Sequence, residues 1–359
     1  MKYWFIIGTA AELIKMYPVI KSAEERGLSW DIILSGQSNK NFWKQAIDFN
    51  LPQARIKTIL GKTEDLKRSS EALKWFLCAL TFGLYNIKKL IRESRLKGEQ
   101  QTFLVHGDTL TTLVGAIVGR ILDVKLVHVE AGMRSGNFIS PFPEEICRRI
   151  VTRLVDWHMC PDTNAQNNLM REGISKGVVV TNSNTVVDAL QLAGHSKFSD
   201  RPYVIFNIHR FENLHSDKSW NQILDLIFVV AEKYHVIFVL MPSTREKIDN
   251  DGIVKMKLQE AGIELKDRLP FVEFCQLLNG CEFIVTDGGS NQQECHYLGK
   301  PCLIMRNVTE SIEGINGCCV LSCFNEETIQ NFISHYEQFK RPTAFPEKRP
   351  TDIIWESIL

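Results

Sequence analysis

The sequence predicts an α/β protein of two doubly wound domains with parallel sheets, and three observations predict it. Short apolar, β-branched runs recur along the whole length, segments of helical period lie between them, and 359 residues suffice for two domains of ordinary size. A pair of such domains leaves a cleft between them, where the active site is expected.

The runs follow in order. Lys2 and Tyr3 lead into Trp4 to Ile7, which stops at Gly8 and is too short for a signal peptide, so it reads as a first strand. Ile32 to Leu34, Phe103 to Val105, Leu126 to Val129 and Val178 to Val180 are the next strands. Val204 to Phe206, Val236 to Leu240, Phe283 to Val285 and Cys302 to Ile304 complete the set. The polar, glycine-bearing stretch Glu172 to Gly177 follows the helix-like Asn164 to Arg171 and places a domain boundary there. The expected domains are therefore 1–172 and 173–359, with the last helix able to pack back on the first. The uncharged run Trp75 to Ile87 is shorter than the roughly 20 residues a bilayer span needs, and reads as a buried helix or a subunit contact.

Forty-two basic residues balance forty-two acidic ones, so no bulk field gathers nucleic acid or anionic lipid. Any anionic ligand must be held by a local site. The ten cysteines show neither C-x-x-C spacing nor a disulfide framework, which fits reduced thiols in a cytoplasmic protein.

Several runs end directly in small or ionisable clusters: Gly8-Thr9, His106-Gly-Asp108-Thr109, His128-Val-Glu130-Ala-Gly132, Asn207-Ile-His209-Arg210 and Thr286-Asp-Gly-Gly-Ser290. In an open parallel sheet ligands bind at the carboxyl ends of the strands, so these clusters should converge on one crevice. The Thr286 to Ser290 turn precedes a helix-like run to Leu298 and looks like a phosphate cradle, although a plain strand-to-helix turn also favours glycine. Glu294, one helical turn after Ser290, is within reach of a ribose hydroxyl or is simply a surface residue. Ser140-Pro-Phe-Pro-Glu-Glu145 has the grammar of a helix start, where Glu144 and Glu145 suit the helix dipole and can pair with Arg148 and Arg149.

Asp108, Glu130 and Glu144 are the candidate acid and base carboxylates. Removing a proton from one face of a carbon and returning one to the other needs two such groups with separate roles. His209, from the other domain, is placed to donate to a departing phosphate. A metal reading of His106-x-Asp108 with His128-x-Glu130 ranks below this, because both histidines equally suit hydrogen-bonded core positions. Neither a Gly-x-Ser-x-Gly elbow nor a Walker lysine motif nor a complete Gly-x-Gly-x-x-Gly fingerprint occurs.

In order and spacing these segments resemble the non-hydrolysing UDP-N-acetylglucosamine 2-epimerase family. The likeness is densest in His106 to Thr109, His128 to Gly136, Ser140 to Glu145, Asn182 to Val186, His209 to Asn213, Thr286 to Ser290, Gln292 to Glu294 and Leu298 to Pro301. It implies two Rossmann-like, GT-B-like domains, with UDP held by the second, no cofactor, no metal and a homodimer. Asp108, Glu130, Glu144 and His209 match the family's catalytic residues. Lys15, Arg134, Arg210, Gly288, Gly289, Ser290, Glu294 and Arg306 carry over as substrate- and UDP-binding residues. The implied reaction removes the C2 proton as UDP leaves C1, then returns a proton to the opposite face as UDP re-adds, in the service of cell-surface polysaccharide synthesis. A hydrolysing relative that releases UDP and free N-acetylmannosamine, or a GT-B-like glycosyltransferase, is the alternative.

The chain also departs from the family pattern. Ala10 stands where the family has arginine, Ser38 replaces the histidine of Gly-Gln-His, and Met241-Pro-Ser-Thr-Arg245 lacks the usual histidine. The family's Asp-Ser-Gly-Gly is Asp287-Gly-Gly-Ser290, and its Thr-Glu-Arg-Pro-Glu is Thr309-Glu-Ser-Ile-Glu313.

Overall fold

The computed structural model describes residues 1–60, 69–136, 142–194, 201–309 and 313–359. One sheet holds β1 (Lys2–Ile7), β2 (Ser29–Leu34), β3 (Ile56–Thr58), β4 (Gln101–His106), β5 (Lys125–Val129), β6 (Trp157–Cys160) and β7 (Val178–Val180), all parallel in the order β3-β2-β1-β4-β5-β6-β7. The second holds β8 (Tyr203–Asn207), β9 (His235–Leu240), β10 (Glu264–Asp267), β11 (Ile284–Thr286), β12 (Cys302–Ile304) and β13 (Cys319–Leu321), parallel in the order β10-β9-β8-β11-β12-β13. In each sheet the winding reverses next to the first strand, between β1 and β4 and between β8 and β11. Such a reversal opens a crevice at the strands' carboxyl ends.

Every apolar, β-branched run named from the sequence coincides with a strand, Phe283 alone falling one residue before its strand β11. Helices cover both faces of a parallel sheet, so its strands are apolar without alternation. All six residues of β1 and of β4 are buried. The strands not read from the sequence are β3, β6, β10 and β13. They are only three or four residues long, and His158, Lys57 and Lys266 interrupt the apolar signal in three of them.

Thr9 and Glu12 form a reciprocal capping box at the start of the helix Ala10–Glu25, which buries Leu13, Met16, Ile20 and Ala23 on its inner face. Gly8 precedes it. A Cβ there would lie 2.0 Å from Thr111 Oγ1 and 2.5 Å from Ser35 Oγ, so only glycine lets β1 reach the crevice beside β4.

Two compact units result, one of Met1–Leu192 with Pro346–Leu359 and one of Ala193–Phe345. The expected division at 172/173 thus moves to 192/193, because β7 pairs with β6 and continues the first sheet. The closing helix Pro350–Ile358 belongs to the first unit. Its Trp355 is fully buried, donates to Val19 O at 3.1 Å and meets Tyr3 edge-on, while Thr351 N donates to Asp188 at 2.8 Å.

The run Trp75 to Ile87 lies in Ser69–Cys78, a π-helical turn Ala79–Gly83 and the start of Leu84–Leu96. Trp75, Ala79 and Ile87 are buried, whereas Leu73, Leu77, Phe82 and Tyr85 are each more than half exposed. Among the described residues no helix is long and apolar enough to cross a membrane. All ten cysteines are free thiols.

Candidate active site

The first unit gathers its polar residues at the ends of β1, β4 and β5. Glu12 is buried, and its carboxylate accepts from Gly8 N and Thr9 N at 2.8 Å each and from Thr109 Oγ1 at 2.6 Å. It therefore ties the turn after β1 to the turn after β4. Burial pushes the Glu12 carboxyl up, and these donors pull it back only in part.

One turn further along the same helix, Lys15 places Nζ 2.7 Å from Glu130 Oε2, and His106 Nε2 lies 3.0 Å from that same oxygen. Burial alone would raise the Glu130 carboxyl. Lys15 and His106 outweigh burial and hold it well below the usual carboxylate range. Glu130 also sits at φ 65°, in the left-handed region that costs a non-glycine residue of order 1–3 kcal/mol and collects at functional sites.

Asp108 is ion-paired with Arg148 Nη2. Glu144 and Glu145, adjacent at the start of the helix Glu144–Leu154, have different fates. Glu145 is fully buried, accepts from Ser135 N at 3.1 Å, and pairs with Arg148 at 3.3 Å and Arg149 at 2.9 Å. Glu144 Oε2 is enclosed and has no hydrogen-bond partner among the described residues. The structure thus commits Glu145 to the scaffold and leaves Glu144 available. Ser140 and Pro141 of this motif lie outside the described residues.

Arg134 is engaged with Glu172, through Nε at 2.8 Å and Nη2 at 3.0 Å. Its side chain is almost fully buried. Of the two cations expected to bind substrate in this unit, Lys15 thus contacts a catalytic candidate and Arg134 braces the fold. His128 turns from its neighbour Glu130 to contact Gly107 O at 2.7 Å, and burial pushes its imidazole down to about 3. Among the described residues no group of three or more His, Cys, Asp and Glu side chains is arranged to hold a metal ion.

In the second unit the ends of β8 and β11 meet around Asp287. This fully buried carboxylate accepts from His209 N at 3.0 Å, Arg210 N at 2.9 Å and Asn213 Nδ2 at 2.9 Å. His209 Nδ1 lies 3.3 Å from Asp287 Oδ1. Burial lowers the His209 pKa, Asp287 opposes the lowering and Arg210 adds to it. A Cβ at Gly288 would sit 2.9 Å from His209 Cε1 and from Asn291 Oδ1, so glycine lets the ring close on the turn.

The helix Gly289–Leu298 starts at this turn and no side chain caps it; at Gly289 a Cβ would meet open space. Its first N–H groups and dipole favour an anion beside His209 and Ser290. Arg306 is largely buried and places Nη2 3.8 Å from Glu212 Oε1. Gln292 is held by Thr309 Oγ1 at 2.7 Å and itself donates to Glu313 O at 2.8 Å; residues 310–312 of that segment lie outside the described residues.

Glu294 is buried and accepts from Asn291 Nδ2 at 2.9 Å. Burial raises it from 4.5 to about 7, against the smaller lowering by Asn291. Between pH 4.5 and 7 the unfolded chain releases this proton while the folded chain keeps it, so the stability Glu294 confers below pH 4.5 is lost as pH rises through 7. Glu294→Gln is therefore expected to gain stability over the wild type by up to about 3 kcal/mol on going from pH 4 to pH 8. Urea unfolding at the two pH values measures it, and a difference independent of pH would contradict the assignment.

The sequence assigned neither His106 nor Glu12 a catalytic or binding role in this site. Both stand at the strand ends where clusters were expected, but an ambiguous core histidine and a capping residue gave no further signal.

Two doubly wound units, one with carboxylates at its strand ends and one with an uncapped helix N-terminus beside a histidine, define a GT-B-like protein. The chain belongs to the UDP-N-acetylglucosamine 2-epimerase family, whose model matches residues 23–348. It is 29% identical over 350 residues to the UDP-N-acetylglucosamine 2-epimerase of Methanocaldococcus jannaschii, covering 92% of this chain and 90% of that one. To the enzyme of the same name from Campylobacter jejuni it is 27% identical over 368 residues, covering 95% and 91%. The solved structure of the Methanocaldococcus jannaschii UDP-GlcNAc 2-epimerase matches with a TM-score of 0.81 at 28% identity over 99% of both chains. That protein in complex with UDP-GlcNAc and UDP matches with a TM-score of 0.71 at 26% identity over 99% of both chains.

Proposed function

We propose that this chain interconverts UDP-N-acetylglucosamine and UDP-N-acetylmannosamine, or a related UDP-2-acetamido sugar, by elimination and re-addition of UDP. The carrying observation is the difference between the carboxylates of the first unit. Glu130 is held ionised under Lys15 and His106, whereas Glu144 keeps an enclosed oxygen without a donor among the described residues. Groups in such unlike settings suit opposite halves of a proton transfer. A carboxylate takes the C2 proton, the freed electron pair forms the C1–C2 double bond, and the C1–O bond breaks as UDP leaves with its electrons. The proton is then returned to the opposite face as UDP adds back at C1.

The residues of the second unit support UDP binding. The helix start at Gly288, Gly289 and Ser290 suits the phosphates, Glu294 the ribose, and Arg210 and Arg306 add positive charge nearby. A bound diphosphate would raise the His209 pKa, so that its imidazolium could neutralise the departing phosphate. Proton NMR with UDP-N-acetylglucosamine in deuterated water is expected to show deuterium at C2 and a UDP-N-acetylmannosamine signal. No exchange with any of several UDP-2-acetamido sugars would refute the proposal.

The protein is proposed to act as a homodimer through the exposed face of Leu73, Leu77, Phe82 and Tyr85, an apolar patch of the kind that marks interaction sites. Sedimentation should give a dimer for the wild type and a monomer for Phe82→Glu. A monomeric wild type would end this part of the reading. We place the activity in the cytoplasm, supplying a sugar to cell-surface polysaccharide. Deleting the gene should remove an N-acetylmannosamine-derived residue from that polymer, and an unaltered polymer would contradict the assignment.

A further inference from the structure

We propose that His106 is a positioning residue that, together with Lys15, fixes Oε2 of Glu130 and leaves Oε1 as the atom that exchanges the substrate proton; this rests on the epimerase reading above. Both contacts fall on one oxygen. Lys15 Nζ donates to Oε2 at 2.7 Å, His106 Nε2 lies 3.0 Å from the same oxygen but off the line of a hydrogen bond, and Oε1 has no partner among the described residues. A lysine donating to one oxygen of a carboxylate, with an imidazole edge held against the same atom, draws the charge there and fixes the side-chain torsion, so the proton goes to the other oxygen. Glu130 directly follows β5 and holds the left-handed φ of 65°.

The elements packed around Glu130 bring four charged or titratable groups. Lys15 comes from the helix Ala10–Glu25, His106 from β4 and His128 from β5, and Glu12 interacts electrostatically with His106. Lys15 and His106 lower the Glu130 carboxyl. His128 contacts Gly107 O. Glu12 is engaged with Gly8, Thr9 and Thr109. Losing His106 therefore removes one of the two direct holds on Glu130 and should raise its pKa.

The test has two arms on the full chain. Nitrogen-15 histidine NMR of the ligand-free protein should show a proton on Nε2 of His106 whose resonance moves in Glu130→Gln; an Nε2 without a proton, or one indifferent to that substitution, would overturn the contact. In kinetics, His106→Ala should lower kcat roughly 100-fold with KM unchanged, and shift the acid limb of kcat/KM to higher pH. His106→Gln, whose amide can donate to Oε2, should recover about ten-fold of that loss. Wild-type kcat in His106→Ala would overturn the proposal, as would a loss equal at every pH that glutamine does not rescue. Absence of turnover by the wild type would refute the epimerase reading alone, because the NMR arm needs no substrate.

Discussion

Glu130→Gln is expected to lower the rate of C2 proton exchange roughly 1,000-fold while leaving UDP affinity nearly unchanged. The amide is isosteric and can still accept from Lys15 at 2.7 Å, but it cannot take a proton. The carboxylate lies in the first unit, whereas the proposed UDP contacts lie in the second, so binding and chemistry should separate cleanly. Exchange by NMR in deuterated water and UDP binding by calorimetry measure the two quantities. Retained exchange would move the base to Asp108 or Glu144. A parallel loss of UDP affinity would show that the substitution disturbs more than proton transfer.

Asp287→Ala should destabilise the second unit by about 3–5 kcal/mol and abolish turnover. Asp287 is fully buried and satisfies the backbone N–H groups of His209 and Arg210 and the amide of Asn213. Removing it strands these donors away from water, and each buried donor left unpaired costs about 1–3 kcal/mol. It also releases the turn that sets His209 against Gly288. Asp287→Asn keeps acceptor capacity and should recover more than half of the stability. Urea unfolding of both variants checks this, and an alanine variant as stable as the wild type would show that the site relaxes around the loss.

Much of the architecture was legible because parallel strands covered on both faces must be apolar throughout. Runs such as Val204 to Phe206 and Val236 to Leu240 announce themselves for that reason. The break in an apolar run where polar residues begin marks the carboxyl end of a strand, which located His106 to Thr109, His128 to Gly132 and Thr286 to Ser290. Trp157 to Cys160 stayed hidden, since four residues with a histidine among them give no periodicity to read. The boundary at Leu192 was illegible for a related reason: whether Val178 to Val180 closes one sheet or opens the next depends on its hydrogen-bonding neighbour.

The sequence by itself determined the α/β class, the strand ends that carry the chemistry and the inventory of carboxylates and histidines, because burial and strand periodicity act on neighbouring residues. Only the tertiary structure decided the partners. Lys15 meets Glu130 across 115 positions, Arg134 turns to Glu172, and of two consecutive glutamates the scaffold takes Glu145 and leaves Glu144. Ion pairs and hydrogen bonds act over about 3 Å, a distance set by how strands and helices pack and not by their separation along the chain.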